Sequence, residues 1–232
     1  MVFDNLNKEF LCFFILATCS ALLALEGGAV FAQKSVNNSS SSIPFVTEEI
    51  SPDQTNSRHS NMVFLQRRKL KVLEKDLESK DVSSRMFAAA EIKRLMFVSA
   101  EAKPILVKVI SKDENGSVRA NATYSLGFLA SVDKDASMLP FFIQTLQNDM
   151  YANTRVRAIG ALGRMKLWTP PVIDVLANAL DDRDTQVRAS AALVLGEAGE
   201  AAQQTIPALE SMKAQGGYVG EAADKALRKI RR

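Results

Sequence analysis

The residues best equipped for chemistry are few in this 232-residue chain: one histidine, His59, and two cysteines, Cys12 and Cys19. A nucleophilic serine or thiol needs a base beside it, and a zinc or iron site needs several converging His, Cys or carboxylate ligands. His59 stands alone in a polar stretch, and both cysteines lie in an apolar N-terminal segment. Carboxylates remain, among them Asp181, Asp182, Asp184, Glu197 and Glu200. They fall between helical segments, where Asp and Glu serve as solvated helix caps more readily than as an acid–base pair. The residue inventory therefore predicts no catalytic residue, no metal ligand and no cofactor.

Other classes are limited by composition. Aromatic residues make up 7%, with a single Trp168, too few for stacking platforms that bind single-stranded nucleic acid. The net charge of +3 and pI of about 8.8 fall short of a nucleic-acid-binding footprint. Charged residues at 24% and hydrophobic residues at 47% are ordinary for a globular chain.

The elements that position any site begin after an N-terminal segment. Residues 11–25 (LCFFILATCSALLAL) are uncharged, Glu26-Gly27-Gly28 interrupts them, and Val30-Phe31-Ala32 resembles a signal-peptidase site. This has the length of a secretory h-region and is short of the ~20 apolar residues of a membrane span. The flank is atypical, because Asp4 and Glu9 offset Lys8 and the terminal amine. Residues 1–32 read as a signal peptide, placing the protein outside the cytoplasm (secreted or periplasmic), with a retained membrane anchor as the alternative. Leu16-Ala17-Thr18-Cys19 is a loose lipoprotein-like box, a third possibility. Cleavage would remove both cysteines and leave 28 basic and 23 acidic residues, a net +5. Residues 33–60, rich in Ser, Asn and Gln without apolar periodicity, read as a disordered polar linker. Asn37, Asn38, Asn115 and Asn121 head glycosylation sequons, meaningful only in a eukaryotic host.

Residues 61–232 repeat. Arg85, Arg119, Arg155 and Arg188 are spaced 34, 36 and 33 residues apart, and Gly220 follows after 32. Three residues beyond each anchor stands alanine: Ala88, Ala122, Ala158, Ala191 and Ala223. Seven beyond stands Ile92, Leu126, Leu162, Leu195 or Leu227, followed by glycine at Gly127, Gly163 and Gly196. Offsets of three and seven share one helical face, so each anchor belongs to the first helix of a unit. The alanine admits a neighbouring helix, and the glycine marks either a helix end or tight packing. Asp81, Asn115 and Asp184 stand four residues before their anchors, as N-caps would. A second apolar segment begins near Pro104, Pro140, Pro170 or Pro171, and Pro207, as proline does in a first helical turn.

The stretches Val118-Arg119 to Leu126-Gly127 and Val187-Arg188 to Leu195-Gly196 resemble HEAT-like repeats of the bilin-lyase type, V-R-x-x-A-x-x-A-L-G with a Pro-led second helix. The third copy keeps Arg155, Ala158, Leu162 and Gly163, while the outer copies are degenerate, as end caps are. The resemblance implies an all-α fold, a right-handed α-solenoid of about five helix-turn-helix repeats. Histidine-dependent iron chemistry of HEAT-like hydroxylases has no counterpart, because the repeats hold no histidine.

In such arrays the repeated arginine resembles an intramolecular rung to the adjacent repeat, and the second helices line the concave face. Aligned at their prolines, Lys108, Gln144, Asp174 and Ser211 point outward there, mixed in charge. Such a column suits a protein or peptide surface better than a phosphate backbone. Two basic ends, Arg67-Arg68-Lys69-Lys71 and Lys225-Arg228-Lys229-Arg231-Arg232, cap the repeats or touch anionic lipid peripherally. The sequence predicts an exported, non-catalytic scaffold that binds a protein partner. A bilin or chromophore lyase, or a lyase-like chaperone subunit, is the runner-up. A membrane-tethered structural protein is a third reading, should the signal be retained.

Overall fold

A computed structural model of the chain describes residues 52–232, and the predicted signal peptide, most of the linker, Cys12, Cys19, Asn37 and Asn38 lie outside them. The described residues form ten α-helices joined by short turns and 3-10 segments, without strands. In chain order these are α1 (Pro52–Asp76), α2 (Val82–Glu91), α3 (Ser99–Lys112), α4 (Gly116–Asp133), α5 (Leu139–Asn148), α6 (Ala152–Met165), α7 (Pro170–Asn178), α8 (Thr185–Ala198), α9 (Ile206–Ala214) and α10 (Gly217–Ile230).

Every anchor lies on an even-numbered helix, and odd-numbered helices from α3 to α9 are the second members of their pairs. Among the described residues four full pairs are present, followed by a fifth anchor helix, α10. At the other end α1 begins at Pro52, eight residues before the predicted linker ended. The polar start of α1 has no apolar face of its own; Leu70, Leu73 and Leu77, further along, bury against the repeats. Helix stability comes chiefly from packing of such a face.

Helix starts follow the side-chain chemistry. Asp81 accepts the amide of Ser84, Asn115 those of Ser117 and Val118, and Asp184 those of Gln186 and Val187. Pro140, Pro170 and Pro207 occupy first-turn positions. Pro104 does not. Helix α3 begins at Ser99, a turn earlier than its proline implied. There the Ser99 hydroxyl and the Lys103 ammonium both donate to Asp133, at 2.7 and 3.0 Å, holding the extra turn against α4.

The first helices stack on one another along the chain, and the alanine column fills their contacts. Ala88, Ala122, Ala158, Ala191 and Ala223 are all fully buried, and the Ile/Leu column is buried in every copy. The three glycines after it lie inside helices rather than at their ends. A Cβ on Gly127 would stand 2.5 Å from the Ala161 Cβ on α6, and one on Gly196 would stand 2.7 Å from the Ala226 Cα on α10. They permit close approach between backbones, which settles the choice left open by the sequence.

Candidate protein-binding face

The anchor arginines form a ladder. Arg85 donates from Nε and Nη2 to Asp113 at 2.8 and 3.2 Å, Arg119 to Asp149 at 2.8 and 2.8 Å, and Arg155 to Asp182 at 2.8 and 2.7 Å. Each aspartate lies just before the first helix of the next repeat. Each guanidinium also donates from Nη1 to the carbonyls six and five residues back, such as Asp149 and Met150 for Arg155. The aspartates in turn accept the amides of Asn115, Tyr151 and Asp184. A rung therefore joins two repeats and closes the turn that enters the second.

Arg188 keeps the carbonyl bonds, to Asp182 and Arg183, but finds Thr185 Oγ1 where its predecessors find a carboxylate. The aspartates stand six residues before Arg119, Arg155 and Arg188; Ser79 holds that place in the first copy and Ala214 in the last, where Gly220 also replaces the arginine. The ladder ends with the loss of both partners. Sequence reading named Asp182 only as a candidate cap and missed Asp113 and Asp149; their fixed offset from the arginines was the available signal. The rungs are largely buried, and those of Arg119 and Arg155 border surface grooves.

Burial would raise the carboxyl of Asp149, but hydrogen bonds from Arg119 and the Tyr151 amide outweigh it and leave the pKa below the ordinary value. Asp182 is lowered in the same way, burial being outweighed by Arg155 and the Asp184 amide. Both stay ionised at neutral pH, as the rung requires.

The predicted contact column is exposed. Lys108 on α3, Gln144 on α5, Asp174 on α7 and Ser211 on α9 all face solvent. Lys108 borders a groove of about 220 Å³ between α1 and α3, floored by Leu77, Ile105 and Val109 and edged by Glu74 and Glu78. Gln144 borders a larger one of about 440 Å³ between α3 and α5, with Ile110, Phe141 and the exposed Met150. Further along, Asn178 and Val175 line a groove of about 210 Å³ with Leu146 and Gln147. Asp174 accepts a bond from Gln204 Nε2 at 3.2 Å, and Ser211 lines none of these grooves. The structure thus brings Lys108 and Gln144 to successive inter-helix grooves and leaves Asp174 and Ser211 on open surface.

Other predicted features are placed as follows. Arg67 and Lys69 in the first basic end face Glu101 and Glu91, and Arg228 and Arg231 in the second face Asp224 and Glu210. The Asn115 side chain caps α4, and the Asn121 amide donates to the Met86 carbonyl at 3.1 Å, so both sequon side chains are engaged. His59 is exposed and meets Phe97 edge-on. Among the described residues no group of His, Cys, Asp or Glu is arranged to hold a metal ion, and no helix is long and apolar enough to cross a membrane.

Residues 139–228 match the family model for HEAT repeats. A crystal structure of an engineered protein is similar, with a TM-score of 0.53 at 18% identity over 79% of this chain and 93% of that one. No curated protein matches the sequence. Residues 139–228 therefore resemble HEAT repeats, within described residues that form a helical array without strands.

Proposed function

We propose that this HEAT-like repeat chain is a non-catalytic scaffold that binds a protein or peptide along the face of its second helices. One observation carries this reading: grooves lie between α1 and α3 and between successive second helices after it, with apolar side chains and a rim mixed in charge. That composition suits a protein surface, where apolar anchors fill pockets and a polar rim surrounds them. HEAT repeats generally mediate protein–protein interactions, which supports the same reading. An extended partner would engage Lys108 and Gln144 first, then the groove beside Asn178. Export of the scaffold rests on residues 1–32 alone.

A photo-crosslinking residue at Gln144 should give adducts with the partner in the native compartment, and one at Leu193, on the first-helix surface, should not. With the partner identified, Lys108→Glu and Asp174→Lys should each weaken binding, with roughly additive effects because the sites lie on different repeats. A single carboxylate-to-amide change that abolishes turnover of bilin attachment, with binding intact, would overturn the scaffold reading in favour of a lyase.

A further inference from the structure

A different cluster lies on the first helices. Around the ring of Tyr124 on α4 stand three cations: Lys93 Nζ at 4.8 Å from the centroid, the Arg157 guanidinium at 5.1 Å and that of Arg164 at 5.0 Å. No two of them can be more than about 10 Å apart, which is about one screening length in physiological salt. Among the described residues none of the three forms an ion pair, although eleven such pairs involve other side chains. Arg157 Nε is buried and makes no hydrogen bond. The aromatic ring attracts each cation modestly, yet the cations repel one another, so the cluster lacks its natural counter-charge.

Its setting is fixed. The Asn121 amide and the Ser125 hydroxyl, on either side of Tyr124, donate to the Met86 and Ala89 carbonyls of α2 at 3.1 and 2.6 Å. Gly160 lies between Arg157 and Arg164 on the same face of α6, exposed and with open space where a side chain would stand. The cations therefore gather around one ring, from α4, α6 and the 3-10 turn after α2, beside the open surface at Gly160.

We propose that Lys93, Arg157 and Arg164 bind the phosphate monoester of a phosphorylated side chain on a partner protein. A phosphate monoester carries close to two charges and three acceptor oxygens, matching two guanidinium forks and an ammonium. A membrane surface is the weaker fit. It would demand a broad basic field, whereas Glu91 stands two residues from Lys93 and Glu197 occupies on α8 the register of Arg164 on α6. The site is on the first helices and stands or falls independently of the second-helix face.

The test follows the arginine Nε–H resonances of the full-length chain at constant ionic strength. The titrant is a blocked tripeptide with central phosphoserine, or its serine counterpart. The phosphorylated peptide should shift the Arg157 and Arg164 signals saturably, and the serine peptide should not. Arg164→Gln and Lys93→Gln, both at accessible positions, should each weaken binding about fivefold or more, since each removes a charge-assisted contact. Lys80→Gln, at an exposed position outside both faces, should leave it unchanged. Equal responses to the two peptides, or full affinity in Arg164→Gln, would overturn the proposal. So would retention by phosphatidylserine-containing vesicles, lost in the same variants, without binding of the phosphopeptide.

Discussion

Arg155 is only 4% exposed, and its guanidinium is neutralised by the bidentate contact with Asp182. Removing one partner of a buried pair strands the other charge, which costs about 3–5 kcal/mol. Asp182→Asn should therefore lower the denaturation free energy by an amount near the lower end of that range, because two carbonyls still receive Arg155. Arg188→Gln should cost less, since no carboxylate faces it. Urea midpoints compare the two, and an equal loss would mean that the carboxylate contributes nothing to the rung. The same carboxylates set an acid limit. Asp149 and Asp182 have folded pKa values below the ordinary carboxylate value, so the unfolded chain binds protons first as pH falls. Their contribution is complete above the unfolded value of about 4 and is lost as pH drops through the folded values. The urea midpoint should be level from about pH 5 to 7 and fall below about pH 4, less steeply in a variant carrying Asp149→Asn and Asp182→Asn.

Glycines on the first helices show how one residue type has opposite consequences by position. Gly127→Ala would place a methyl 2.5 Å from the Ala161 Cβ, with the Ala161 backbone just behind at 3.1 Å. Neither can yield without moving α6, so overpacking should cost about 1–3 kcal/mol. At Gly163 the nearest atoms are Val194 methyls at 3.1 and 3.2 Å, which a side-chain adjustment can relieve, so alanine should be tolerated better. Gly160 meets nothing within 4 Å and sits inside a helix. There alanine should stabilise by up to about 1 kcal/mol through helix propensity. Thermal melts of the three variants should rank in that order; a destabilised Gly160→Ala would show that the open surface at Gly160 is filled in solution.

At the scale of the molecule, each helix pair packs chiefly on its sequence neighbours. Stability in such an array is close to a sum of unit and neighbour-interface terms, and distant units open separately. Leu195→Ala empties a fully buried position on α8 and should cost about 2–5 kcal/mol. Hydrogen exchange should then accelerate in α8 to α10 well before α2 and α3 respond. Uniform acceleration across all helices would mean that the array unfolds as one cooperative unit. Removing α1 should destabilise the opposite end, because Leu70, Leu73 and Leu77 cover the first repeat.

Much of this protein was legible in its sequence because the repeat is periodic. Five alanines and five Ile/Leu residues at fixed offsets specify one buried helical face without any knowledge of contacts, and capping residues mark most first-helix starts. The exposed second-helix column followed from the same alignment. What sequence could not supply was the identity of neighbours. Whether Gly127 ended a helix or admitted one depended on the distance to Ala161, and the length of α3 depended on Asp133 reaching Ser99. The cluster around Tyr124 was invisible for the same reason. Lys93, Tyr124, Arg157 and Arg164 follow no repeat column, and only the packing of α4, α6 and the 3-10 turn after α2 brings their side chains together. Local pattern determines which face of a helix is buried; through-space packing alone decides which charges meet on the face left exposed.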